Sequence, residues 1–161
     1  MDTAQAGTAF ETADAPTRLR VAALAAGLIG LATLTIGTFL PWLRSGQVLR
    51  NSYQTDGAIR QLLQPGEPIR TALAAWPAVS FACAAVAALY AVSMRRSAAA
   101  LAVLTALAAA AVATAALAAG AVQSVRAETS GPTVTLIGAV LVLAAVSMQV
   151  AITSKSWREP R

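Results

Sequence analysis

Histidine is absent from this 161-residue chain. That removes the commonest metal ligand, the usual axial haem ligand and the usual general base together. Cysteine occurs once, as Cys83, so no intrachain disulfide can form. Charge is scarce as well: 12% of residues are Asp, Glu, Lys or Arg, against roughly 25% in a soluble domain. Four stretches carry no charge at all, Val21–Trp42, Thr71–Met94, Ser97–Val125 and Thr133–Ser154.

What fills these stretches is apolar, in a chain whose apolar share is 57%. The four blocks are 22, 24, 29 and 22 residues long. About 20 residues at 1.5 Å rise cross a hydrocarbon core of roughly 30 Å. Backbone polar groups in lipid must be satisfied within the segment, which selects helix. The fold expected is therefore an all-α integral membrane protein, a bundle of four transmembrane helices over 21–42, 71–94, 97–125 and 133–154. This membrane domain of residues 19–154 follows a polar segment, 1–18, expected to be disordered and cytoplasmic. A short cytoplasmic tail, 155–161, closes the chain.

A net charge of +5 and a pI near 10.7 would suggest nucleic acid in a soluble protein. Here the positives sit at the block ends, where they hold helices in register against headgroups, and no nucleic-acid partner is expected. Eleven of the twelve bases are Arg and Ala is abundant, a bias of high-GC bacterial coding. An even number of spans puts both termini on one side. That side holds Arg18, Arg20, Arg95, Arg96, Lys155, Arg158 and Arg161; the other holds Arg44, Arg50, Arg60, Arg70 and Arg126. The asymmetry and the tight Arg95-Arg96 turn place the termini in the cytoplasm. Trp42, Trp76 and Trp157 flank the blocks, as interfacial tryptophans do.

Small residues one turn apart, Ala26 with Gly30 and Thr33 with Gly37, allow close backbone approach. The third block has 15 alanines in 29 residues and should gain its place by packing among the others. Gln149 reads as an interhelical hydrogen-bond donor. Pro77 suits a first helical turn, where it removes no helical bond.

Residues 43–70 form an extracytoplasmic insert longer than a simple connection needs. Ser45-Gly46 reads as a turn. Asp56 can cap a short amphipathic helix with Ile59, Leu62 and Leu63 on one face, stopped by Pro65-Gly66. Arg50-Asn51-Ser52-Tyr53-Gln54 offers five consecutive hydrogen-bonding side chains. Arg and Tyr are frequent at protein–protein hot spots. The plainer alternative is that Arg50 pairs with Asp56 or Glu67 and folds the loop.

The pattern Trp42-x-x-Ser45-Gly46-x-x-x-Arg50-x-Ser52-Tyr53 after a first membrane helix resembles small four-span membrane proteins of actinobacteria. That resemblance implies a bacterial plasma-membrane protein whose outer segment is its distinguishing feature; it implies no activity.

Three function classes remain to be weighed. Catalysis lacks its usual groups: Asp56, Glu67 and Glu128 stand singly and Cys83 sits among apolar residues. A conduit usually carries ionisable groups within the span, and the blocks have none. Thr33, Thr35, Ser80, Thr105, Thr114, Ser147 and Gln149 could line a pore only in an oligomer. The expectation is a non-enzymatic accessory or scaffold subunit with no cofactor and no metal. Trp42, Ser45, Gly46, Arg50, Ser52 and Tyr53 would be its partner-binding residues, docking on another membrane complex or envelope component. An oligomeric transporter or channel component is the alternative, and homo-oligomerisation stays open.

Overall fold

The structure is a computed structural model that describes residues 15–45, 47–54, 75–119 and 125–156. The segments 1–14 and 157–161, Trp157 and the expected amphipathic helix after Asp56 lie outside the described residues.

Helix α1 runs Ala15–Phe39. It takes in the last four residues of the segment 1–18 expected to be disordered, because Pro16 in a first turn has no helical hydrogen bond to lose. It stops where Pro41 restricts the preceding residue and supplies no N–H. Strands β1 (Pro41–Ser45) and β2 (Val48–Asn51) follow. Then come α2 (Ala78–Ala91), α3 (Arg95–Ala119), β3 (Val125–Ala127) and α4 (Ser130–Ser156).

Among the described residues, three helical stretches are long and apolar enough to cross a membrane: Thr17–Phe39, Arg95–Ala118 and Ser130–Ser154. They are the signature of a membrane-inserted, multi-pass protein. Their outer faces support this, since Leu104 is 66% exposed and Val140 62%, an arrangement that suits lipid and not water. The fourth apolar helix, α2, has only 14 residues, shorter than its 24-residue block because both ends turn early. Pro77 is its N-cap residue. At the far end Ser93 adopts φ 65°, its N–H bonds the Tyr90 carbonyl and the Met94 N–H bonds the Leu89 carbonyl. This is the closed left-handed cap that normally carries glycine, and it turns the chain straight into α3.

The helices pack unevenly. α1 lies along α4, and α3 joins α4 to α2, whereas α1 and α2 meet only sparsely. Close α1–α4 approach depends on glycine. A Cβ on Gly138 would fall 2.7 Å from Leu34 Cα, and one on Gly37 2.6 Å from the Thr135 nitrogen. The helices differ little from lipid in hydrophobicity, so such van der Waals contact is what holds them together. Alanine does the same for α3: Ala98, Ala102, Ala106, Ala109 and Ala113 are buried along one face, with Leu31, Leu34, Val86, Ala139 and Val142 filling the centre. Gln149 makes an interhelical bond as expected, but as acceptor: Tyr90 OH donates to its Oε1 at 2.9 Å.

The sequence reading anticipated no sheet, yet the chain folds one of three antiparallel strands in the order β2-β1-β3. β1 pairs with β2 through Leu43–Arg50, Arg44–Leu49 and Ser45–Val48. It pairs with β3 through Leu43–Ala127, Arg44–Arg126 and Ser45–Val125. Val125, counted in the third apolar block, belongs to this strand. The sheet sits at the end of the bundle where α1 stops and α4 begins.

Candidate functional site

The motif after α1 builds a seat that joins this sheet to the helices. Its logic starts with the orphan carbonyls at a helix C-terminus. The Gly37 carbonyl would bond the N–H of residue 41, which is proline. The Trp42 indole replaces that donor, with Nε1 2.9 Å from the Gly37 oxygen. The next carbonyl, of Thr38, accepts from Ser52 Oγ at 2.5 Å. Two residues of the motif therefore cap α1.

Trp42 reaches inward because it is a bulge. Pro41 pairs with Asn51 and Leu43 with Arg50, so Trp42 is the extra residue between them. Bulges re-aim side chains. Its indole lies on Gly131 at the start of α4, where an added Cβ would also meet the Pro41 carbonyl at 2.7 Å. It meets Trp76 edge-on with centroids 5.5 Å apart, and the pair packs with Ala113 of α3. Both tryptophans are buried, their rings enclosed at the end of the bundle where the sheet joins the helices. Trp76 Nε1 is buried without a hydrogen-bond partner among the described residues.

Tyr53 completes the seat from a helical turn at 52–54. Its hydroxyl lies 2.7 Å from Ser80 Oγ on α2 and 3.1 Å from Thr38 Oγ1 on α1. The Thr38 hydroxyl donates to the Thr35 carbonyl at 2.7 Å. Each hydroxyl has one proton, so the direction of the whole chain follows. Ser80 donates to Tyr53, Tyr53 to Thr38, and Thr38 to the backbone. The Tyr53 ring also leans on Phe39, with centroids 5.2 Å apart.

The six residues expected to meet a partner thus divide. Trp42, Ser52 and Tyr53 face the bundle and hold the hairpin to it. Ser45 contributes backbone pairing to both neighbouring strands. Gly46 lies outside the described residues, and so do Asp56 and Glu67, the acids suggested for Arg50. Arg50 is half-buried opposite Leu43, and its Nε is buried with no hydrogen bond among the described residues. What remains exposed is the hairpin tip: Val48 and Leu49 are 56% and 51% exposed.

The sequence reading missed Thr38, Ser80 and Gly131 as parts of the seat. Pro41 was the available signal, since a proline four residues after Gly37 leaves a carbonyl that needs another donor. The seat is a mechanical clamp made of neutral groups. The only carboxylate among the described residues is Glu128, whose backbone N–H extends the β1–β3 pairing to the Trp42 carbonyl at 2.9 Å. No family model, curated protein or solved structure matches the chain.

Proposed function

We propose that this is a four-span bacterial plasma-membrane protein that works as a non-enzymatic accessory subunit, docking on another membrane protein through its outer hairpin. The observation that carries the reading is the edge strand β2. It forms one edge of the sheet, and its first two residues are large, apolar and exposed on both faces of the strand. An open edge with apolar side chains invites strand addition by another chain. The clamp beneath it supports the same reading. A hairpin held by Trp42, Ser52 and Tyr53 is ordered before it meets a partner, which lowers the entropic cost of binding.

The fourth crossing is α2. Support comes from its two ends: one turns directly into α3, and Trp76 at the other packs with Ala113 of α3. Residues 76–94 therefore run as far along the bundle as 95–113, about 27 Å at 1.5 Å per residue, close to a hydrocarbon thickness of roughly 30 Å. With four crossings, Arg18, Arg20, Arg95, Arg96 and Lys155 share one end, the cytoplasmic one.

The test is co-purification in mild detergent with Val48→Lys and Leu49→Lys combined. Lysine on an edge strand blocks pairing without disturbing an exposed site. The double variant should keep its melting temperature and lose a partner that the parent retains. Retention of every partner overturns the docking reading; loss of self-association alone makes the partner a second copy and favours the oligomeric conduit.

A further inference from the structure

The sparse contact between α1 and α2 leaves a groove whose outer end reaches Ser80 of the clamp and whose inner part runs away from it. Its inner part is a cavity of about 320 Å3 among all four helices, with Leu24, Gly27 and Leu31 on one wall and Ala87, Ala98 and Ala102 on others. A shallower hollow continues it outward, past Ala32 and Thr35 on α1 and Ser80 and Ala84 on α2. Leu28, Leu31 and Ala87 line both parts. From Leu24 to Ile36 the groove follows α1 over 13 residues, about 18 Å at 1.5 Å rise. Leu28 lines it and is 56% exposed, so it opens sideways, toward what surrounds the helices.

The inner end has a different chemistry. Tyr90 and Gln149 line it, and the Tyr90 hydroxyl occupies the Gln149 amide oxygen. The amide N–H2 donors are left for an acceptor. One turn further in, on the same faces that line the cavity, stand two cations. Arg20 precedes Leu24 by four residues and Arg95 precedes Ala98 and Ala99 by three and four, the spacings that share a helix face. Both arginines are exposed. No carboxylate lies at this end among the described residues.

We propose that the groove is a binding site for one anionic phospholipid, its acyl chain between α1 and α2 and its phosphate between Arg20 and Arg95. A narrow apolar slot open to the bilayer takes a hydrocarbon chain. A guanidinium on each side of its inner mouth takes a phosphate, because its planar N–H fork matches phosphate oxygens. The lateral opening admits the lipid from within its own leaflet. Its phosphate end lies at the opposite end of the bundle from the hairpin, and the proposal does not rest on a protein docked there.

Native mass spectrometry of the delipidated full chain, titrated with palmitoyl-oleoyl phosphatidylglycerol or the corresponding phosphatidylcholine, tests it. One phosphatidylglycerol adduct should form at concentrations where phosphatidylcholine leaves the protein bare. Arg20→Gln and Arg95→Gln should each weaken phosphatidylglycerol about fivefold and leave phosphatidylcholine unchanged, because a basic residue near an anionic headgroup contributes about 1 kcal/mol and 1.4 kcal/mol is tenfold. Ala87→Phe fills the groove where its two parts join. Gly27→Leu fills it from α1, where a Cβ has ordinary room, 3.5 Å from the Ala145 Cβ. Each filled variant should abolish the adduct, whereas Ala100→Phe, on the exposed face of α3, should keep it. Equal binding of the two lipids, arginine variants that retain the anionic preference, or a folded filled variant that keeps the adduct each overturn the proposal. Should both filled variants fail to fold, the surface arginine variants decide it alone.

Discussion

Trp42 and Trp76 face each other, yet replacing each by phenylalanine should have very different effects. Both substitutions keep an aromatic ring in the pair and both remove the same part of an indole. The packing loss is therefore similar and largely cancels in the comparison. The N–H groups do not cancel. In Trp42→Phe the Gly37 carbonyl loses its donor, and Pro41 offers no N–H in its place. A buried group left without a partner costs about 1–3 kcal/mol. In Trp76→Phe the N–H removed is one that already lacks a partner among the described residues, so a similar penalty is lifted. The two variants should differ by at least about 2 kcal/mol, with Trp42→Phe the weaker. For a chain of this size that is a gap of about 4–8 °C in Tm. Thermal unfolding in a mild detergent, followed by the helical circular dichroism signal, measures it without relying on tryptophan fluorescence. Equal melting temperatures, or a lower one for Trp76→Phe, would refute the claim that the Trp42 indole serves as the missing backbone donor.

Gly138→Ala should destabilise by about 1–3 kcal/mol through overpacking, since its Cβ would press on the Leu34 backbone; Gly27→Ala, whose Cβ meets only the Ala145 methyl at 3.5 Å, should be neutral or gain up to about 1 kcal/mol of helix propensity. The same melting assay separates them. Tyr53→Phe and Ser80→Ala should be non-additive, with a coupling of about 0.5–3 kcal/mol in a double-mutant cycle; additive effects would mean the hydroxyl chain between α1, the hairpin and α2 does not form. In a Cys83→Ala background, single cysteines at the exposed positions Gln54 and Ser130 should react with an impermeant thiol reagent on intact cells, and one at exposed Ser97 only after the membrane is opened; the reverse pattern would put the hairpin in the cytoplasm.

The spans were legible because the rule behind them is local. A helix in lipid satisfies its own backbone, so an uncharged run of sufficient length declares itself residue by residue. Pro77 at the start of α2 follows equally local rules; Pro41 does too, yet the first span was read through it to Trp42, and α1 ends at Phe39. The shortness of α2 was not legible, because a left-handed serine cap at Ser93 looks like ordinary polar sequence. Three side chains read as facing a partner, Trp42, Ser52 and Tyr53, turn to the bundle instead. Arg50, Ser52 and Tyr53 looked like a recognition set because hydrogen-bonding groups in a loop face water unless something inside needs them.

What the sequence determined by itself is the number and extent of the apolar runs and their cationic ends; the break after Phe39, inside a first span read as 21–42, came with the structure. Only the tertiary structure decided where the motif after that break would point. Strand β3 comes from a segment about 80 residues beyond β1, and Ser80 reaches Tyr53 from the next helix. The demand that turns Trp42 and Ser52 inward comes from two bare carbonyls at the end of α1. Those carbonyls are visible in the sequence only as a proline. Which side chains answer them depends on the hairpin folding back over the helix end, and that pairing between distant residues is fixed only when the bundle is assembled.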